Sequence, residues 1–149
     1  MYLALKFLHV FLAIVAVGFT SSFGLILASA AKGGADGREL KFALETIRVM
    51  GRIGHVCFLF LLITGIALVH IAGYPWYLWL KLSGALVVVA LLVAQFLLLP
   101  TVPRRLAILE TKGPTDPEFI ALSKRSAALG AALGLMALVV LWLMVSKPA

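Results

Sequence analysis

The chain has 149 residues, of which 63% are apolar and only 13% charged, at a mean hydropathy of +1.12. That leaves too little polar surface to cover a soluble globule, so a water-soluble fold is excluded. The net charge of +7 raises nucleic acid as a partner, but lysine and arginine are sorted by loop and form no continuous basic face with interleaved aromatics, which argues against it.

Four apolar runs carry almost no charge: Leu3 to Ala30, Met50 to His70, Tyr77 to Leu99 and Ala127 to Val145. Each is near the ~20 residues needed to cross ~30 Å of hydrocarbon as helix. They predict an all-α protein whose single domain, 1–149, is a bundle of four transmembrane helices over roughly 3–30, 46–71, 76–99 and 121–146. The first run is too long for the ~7 to 15 apolar residues of a secretory signal and reads as a true helix. Lys32-Gly33-Gly34-Ala35-Asp36-Gly37 is a glycine-rich helix stop, and Leu40 to Arg48 starts an extension of helix two. Ala72-Gly73-Tyr74-Pro75 reads as a tight turn with Pro75 opening helix three. Pro100 and Pro103 close that helix, and Lys112-Gly113-Pro114-Thr115-Asp116-Pro117 is a polar break before helix four. Such short connections make sequential helices antiparallel neighbours, up-down-up-down. The only cysteine, Cys57, lies inside the second run, so no intrachain disulfide or thiol cluster can form.

Even-numbered spans put both termini on one side. Lys6, Lys81 and Lys147 fall there, whereas the other ten lysines and arginines, and all six acidic residues, fall on the opposite side. The positive-inside rule makes that basic side cytoplasmic and places both termini outside a bacterial inner membrane, facing the periplasm or the extracellular space. Tyr74, Trp76, Tyr77 and Trp79 then form an aromatic belt at the outer interface.

Small and polar residues mark the faces that pack, because helices in lipid associate through close approach. Helix four carries Gly130-Ala131-Ala132-Leu133-Gly134, flanked by Ser126 and Ala137; its occupant is either a neighbour within the bundle or a second chain. Helix one carries His9, Ala13, Ala16, Thr20 and Gly24 on a narrow strip that fits another helix or the edge of a planar cofactor. Helix three places Lys81, Gly84, Ala85, Val88, Leu92 and Gln95 on one face. Polar groups facing lipid are costly, which turns this face inward, although Lys81 alone can also snorkel from an interface position.

Three histidines carry the ready chemistry, and depth separates them. His9 and His70 sit near the outer face with Lys81, whereas His55, fifteen residues before His70, is about 22 Å away along the helix. Arg48, Gly51, Arg52 and His55 form a basic strip suited to lipid phosphates. Neutral imidazole is an ordinary axial ligand for haem iron and also suits other metals. A b-type haem in a helical bundle needs one or two such ligands, apolar walls and small residues that make room. These requirements point to haem b, with His9 and His70 as iron ligands and Lys81 holding a propionate or contributing redox chemistry, a role its positive charge suits. The scattered methionines disfavour a copper pathway. The competing reading is a cofactor-free accessory subunit of a larger membrane complex, or a small-solute or metal-handling protein, since pumps and channels carry more intramembrane ionisable groups.

Leu5-Lys6-Phe7-Leu8-His9 opening helix one, Trp79-Leu80-Lys81-Leu82 opening helix three, and the ending Val145-Ser146-Lys147-Pro148 carry a family resemblance. The chain resembles the small membrane proteins that include the haem-containing bacterial protoporphyrinogen oxidase and the copper-resistance D-type membrane domain. It is most similar to their uncharacterised relatives, in Tyr74-Pro75-Trp76 and in Leu99-Pro100 followed by Pro103-Arg104-Arg105. The resemblance implies b-type haem, with His9 and Lys81 at the oxidase's characteristic histidine and lysine; if the chain is an enzyme, it implies a haem-dependent oxidoreductase of that type. The chain departs at Val17-Gly18-Phe19-Thr20-Ser21-Ser22, without the oxidase's proline and arginine, and at Gln95-Phe96, where the oxidase has a histidine. Porphyrinogen oxidation therefore ranks behind the other readings.

Overall fold

The computed structural model describes residues 1–32 and 37–147, so Gly33, Gly34, Ala35 and Asp36 of the predicted glycine-rich stop lie outside the described residues, as do Pro148 and Ala149. The described chain is helical: α1 (Tyr2–Ala30), α2 (Arg38–Ala72), α3 (Leu78–Val93), α4 (Thr101–Lys112) and α5 (Pro117–Ser146), with one π-helical turn, Ala94–Leu98, leading from α3 towards α4. Four stretches are long and apolar enough to span a membrane, the third running from Leu78 to Lys112. The predicted all-α, four-span membrane architecture is thus the one observed. α1 packs chiefly on α2 and α3 on α5, while contacts between α1 and α5 and between α2 and α3 close the ring.

Helix length exceeds the hydrocarbon. The 35 residues of α2 and of the Leu78–Lys112 rod each measure about 52 Å at 1.5 Å per residue, against ~30 Å of bilayer core. The surplus projects from the basic end, where α1 stops and α5 starts. There the chain meets water and packs as a soluble domain does. Leu44 and Ile47 of α2, Val102, Leu106, Ile108 and Leu109 of α4, and Phe119 of α5 form a buried cluster, with Phe23, Ile26 and Leu27 of α1 against it. Within the spans little is enclosed: Ala16 is the buried residue of α1, and α5 buries Phe119 and Ser126 only. Lipid is as apolar as leucine, so nothing drives those surfaces inward.

Several predicted boundaries shift. α2 begins at Arg38, so the extension expected over Leu40 to Arg48 is helical and the helix starts ahead of 46; α5 begins at Pro117, ahead of 121. Pro100 and Pro103 do not end the third span. Pro103 is the third residue of α4, where a backbone N–H has no intrahelical acceptor to lose. The π turn, marked by Leu99 N–H donating to the Ala94 carbonyl at 2.8 Å, absorbs the displacement ahead of Pro100. Pro75 does not open α3: its carbonyl accepts from Tyr77 N–H at 2.7 Å, and Tyr77 is the N-cap of a helix starting at Leu78. Gly73 at φ +64° ends α2 in the left-handed conformation that an L side chain rarely adopts. Asp116 caps α5 by accepting from Glu118 N–H at 2.8 Å, with Pro117 as first helical residue.

Candidate functional site at the aromatic end

His9 is positioned by α2. Its Nδ1 lies 2.9 Å from Thr64 Oγ1. Thr64 Oγ1 also lies 2.8 Å from the Phe60 carbonyl and 3.1 Å from that of Leu61, two acceptors for its single proton. With that proton on a carbonyl, the hydroxyl accepts, Nδ1 carries the hydrogen and Nε2 keeps its lone pair. A hydrogen bond at one ring nitrogen that fixes the tautomer and frees the other is the arrangement found behind metal-bound histidines. Gly65 makes the close approach possible: a Cβ there would sit 3.1 Å from His9 Cε1. Along the rest of α1 the predicted strip holds through half-buried Ala13, buried Ala16 and half-buried Thr20. It then drifts: Gly24 faces open space, and Phe23 takes the seam against Gly51 of α2.

His70 lies elsewhere on α2. At ~100° per residue it stands roughly 120–140° around the helix from Thr64 and Gly65, and ~8 Å further along. Its ring is exposed and meets Trp76 edge-on, centroids 5.8 Å apart. The predicted pairing of His9 and His70 on one iron does not fit this register. Lys81 is exposed in the first turn of α3. No hydrogen bond, ion pair or ring contact among the described residues joins it to either histidine. The predicted inward face of helix three in fact points out, with Ala85, Val88, Leu92 and Gln95 all exposed, and the buried line is Trp79, Ser83 and Val87. Trp79, 8% exposed, accordingly leaves the predicted aromatic belt, whose other members Tyr74, Trp76 and Tyr77 stay on the surface. Lys81 and Gln95 are both exposed, and from the first turn of a span an ammonium can reach headgroups.

Two hydroxyls escape the sequence reading. Thr64 interrupts an apolar run beside a glycine, which was the available signal. Ser83 is wholly enclosed and its Oγ has no hydrogen-bond partner among the described residues. At the basic end, His55 is half-buried with Nδ1 enclosed and unpartnered. Gly51 leaves the predicted basic strip, turning into the bundle against Leu99, while Arg48 and Arg52 stay exposed. On α5 the predicted small face divides. Ser126 turns inward and bonds Thr101 Oγ1 at 3.0 Å, whereas Gly130 and Gly134 have nothing near a would-be Cβ. Among the described residues no three His, Cys, Asp or Glu side chains group as a metal site.

Residues 3–148 match a family model described as a predicted integral membrane protein (DUF2269). No curated protein and no solved structure matches the chain.

Proposed function

The chain belongs to the DUF2269 family of predicted integral membrane proteins, and from that premise we propose that it is a four-span protein of a bacterial inner membrane that holds a b-type haem on His9 alone. The observation that carries this reading is the His9–Thr64 bond, which leaves Nε2 as an oriented donor between two helices. Gly65 lets the imidazole sit against α2, and Ala13, small and half-buried, lies one helical turn from His9 on the same face of α1. A haem bound there would supply one-electron redox chemistry. Thr64 would hold the imidazole plane and keep its Nδ1 protonated, and the apolar flanks of α1 and α2 would exclude water. His70 and Lys81 stand outside this ligand set. The surplus of lysine and arginine makes the basic end cytoplasmic.

The test is an absorption spectrum of detergent-purified protein, as isolated and after dithionite, from cells supplied with a haem precursor. A Soret band lost in His9→Ala and kept in His70→Ala supports the proposal. A colourless protein, or haem content unchanged in His9→Ala, overturns it. Labelling of single cysteines placed at Thr111 and at Ser146 in intact cells checks the orientation: only the latter is expected to react with an impermeant reagent.

A second reading, a cofactor-free subunit of a larger complex, is favoured by the open surface of α5 at Gly130 and Gly134. A colourless preparation that co-purifies stably with another membrane subunit selects it.

A further inference from the structure

At the basic end, Arg104 of α4 and Arg125 of α5 converge on a groove that the haem reading does not use. The groove has a volume of about 180 Å³. Its floor and apolar wall are Phe96 and Leu97 of the π turn, Pro100 and Leu122. The apolar lip faces outward, Phe96 being 70% exposed.

Depth and charge say what fits. Arg104 lies ~7 Å past Leu99, the end of the third apolar run, and Arg125 ~3 Å before Ala127, where the last run begins. Both therefore stand at the level of the headgroup layer, which is ~5 to 7 Å deep on each side of the hydrocarbon. Arg104 gives one of its five donors to Glu118, at 2.8 Å, and Lys112 holds the other carboxylate oxygen at 3.0 Å. Arg125 makes no ion pair or hydrogen bond within the described chain. The hydroxyl lining the groove, that of Thr101, already donates to the Leu98 carbonyl, so the arginines are the donors available to a ligand. A phosphate is the anion that guanidinium forks match, and an acyl chain is the group that the Phe96 and Leu97 lip would accept.

We propose that the groove between α4 and α5 seats one anionic phospholipid, its phosphate between Arg104 and Arg125 and its acyl chain along Phe96 and Leu97. Basic pockets between helices on the cytoplasmic side suit such headgroups.

Native mass spectrometry of the purified full chain, titrated with phosphatidylglycerol and with phosphatidylcholine, tests this. The wild type is expected to retain phosphatidylglycerol about tenfold more tightly than phosphatidylcholine. Arg125→Gln, which breaks no ion pair or hydrogen bond among the described residues, should remove most of that preference, and so should Leu122→Trp, which fills the groove and leaves both charges. Arg48→Gln with Arg52→Gln, equally basic but outside the groove, should leave it intact. Equal retention of the two lipids overturns the proposal. So does a loss in the Arg48/Arg52 variant as large as in Arg125→Gln, which indicates diffuse charge, or full preference in Leu122→Trp. Displacement of the lipid by millimolar inorganic phosphate overturns it in favour of a free-phosphate site.

Discussion

Replacing Gly65 by alanine asks whether the His9 seat is as tight as the structure makes it. The new Cβ would lie 3.1 Å from His9 Cε1 and 3.7 Å from Nδ1, against the 3.5–4.0 Å at which carbon contacts are favourable. Relief requires a shift of about 0.5 Å. The ring cannot move freely, because Nδ1 is bonded at 2.9 Å to Thr64, one residue away on the same helix. Displacing it stretches that bond towards ~3.4 Å, outside the usual range. A polar bond between membrane helices contributes about 0.6 kcal/mol on average and up to ~1.7. Gly→Ala also changes helix propensity, by up to ~1 kcal/mol in the opposite direction, and this must be removed from the comparison. Gly54→Ala does so: its Cβ meets only Phe19 Cβ at 4.0 Å, an ordinary contact on the same helix pair. Equilibrium unfolding in mixed detergent micelles, followed by circular dichroism, should find Gly65→Ala less stable than Gly54→Ala by about 1 kcal/mol. In a His9→Ala background the difference should vanish, since the clash has lost its partner. Equal stability of the two alanine variants, or a penalty that survives removal of His9, would refute the seat and with it the orientation of Nε2.

The remaining predictions use the same micelle titration or the haem spectrum. Thr64→Val should retain the fold but bind haem 10- to 100-fold more weakly than wild type, because the imidazole loses the acceptor that orients it; Lys81→Ala, at an exposed position, should leave the spectrum unchanged. Leu44→Ala, at 0% exposure in the basic-end cluster, should lose about 2–5 kcal/mol, whereas Leu135→Ala, 65% exposed on α5, should change stability by less than about 0.5. Arg105→Met should be neutral or stabilising by about 1 kcal/mol: the arginine is 4% exposed, its Nε is unpartnered, and its visible compensation is the Phe119 ring 5.7 Å away. A loss above about 2 kcal/mol there would show that the guanidinium answers a charge outside the described contacts.

What could be read from residues alone follows from which force acts where. Span number and topology come from length and hydropathy, and a bilayer leaves those two quantities one solution. The far end of the third rod escaped because hydropathy falls at Leu99 while the helix does not stop. α4 is amphipathic, and its apolar residues Val102, Leu106 and Leu109 are held by water-driven packing on Leu44 and Ile47, which a search for apolar runs overlooks. Periodicity placed Lys81 and Gln95 on one face of predicted helix three but had no means of giving that face its direction. The rule that polar groups turn inward applies at mid-bilayer, and a lysine at the edge obeys the opposite rule.

The candidate site was legible one residue at a time and illegible as a set. His9 stood out as an imidazole above a strip of small residues, but its partner Thr64 is 55 positions away and can be named only once α1 and α2 are in register. That same register rotates His70 away from the seam, so equal depth along the bundle did not amount to proximity. Depth is a one-dimensional quantity that sequence spacing supplies at 1.5 Å per residue, whereas ligation needs the angle around each helix as well. Here that angle is set by where glycine lets another helix approach. Gly65 under His9, Gly54 against Phe19 and Gly51 against Phe23 lie along one side of α2, and they determine which side chains of α1 turn into the bundle. A residue's chemistry can thus be nominated from its type, but the group it acts with is chosen by the small residues that carry no chemistry themselves.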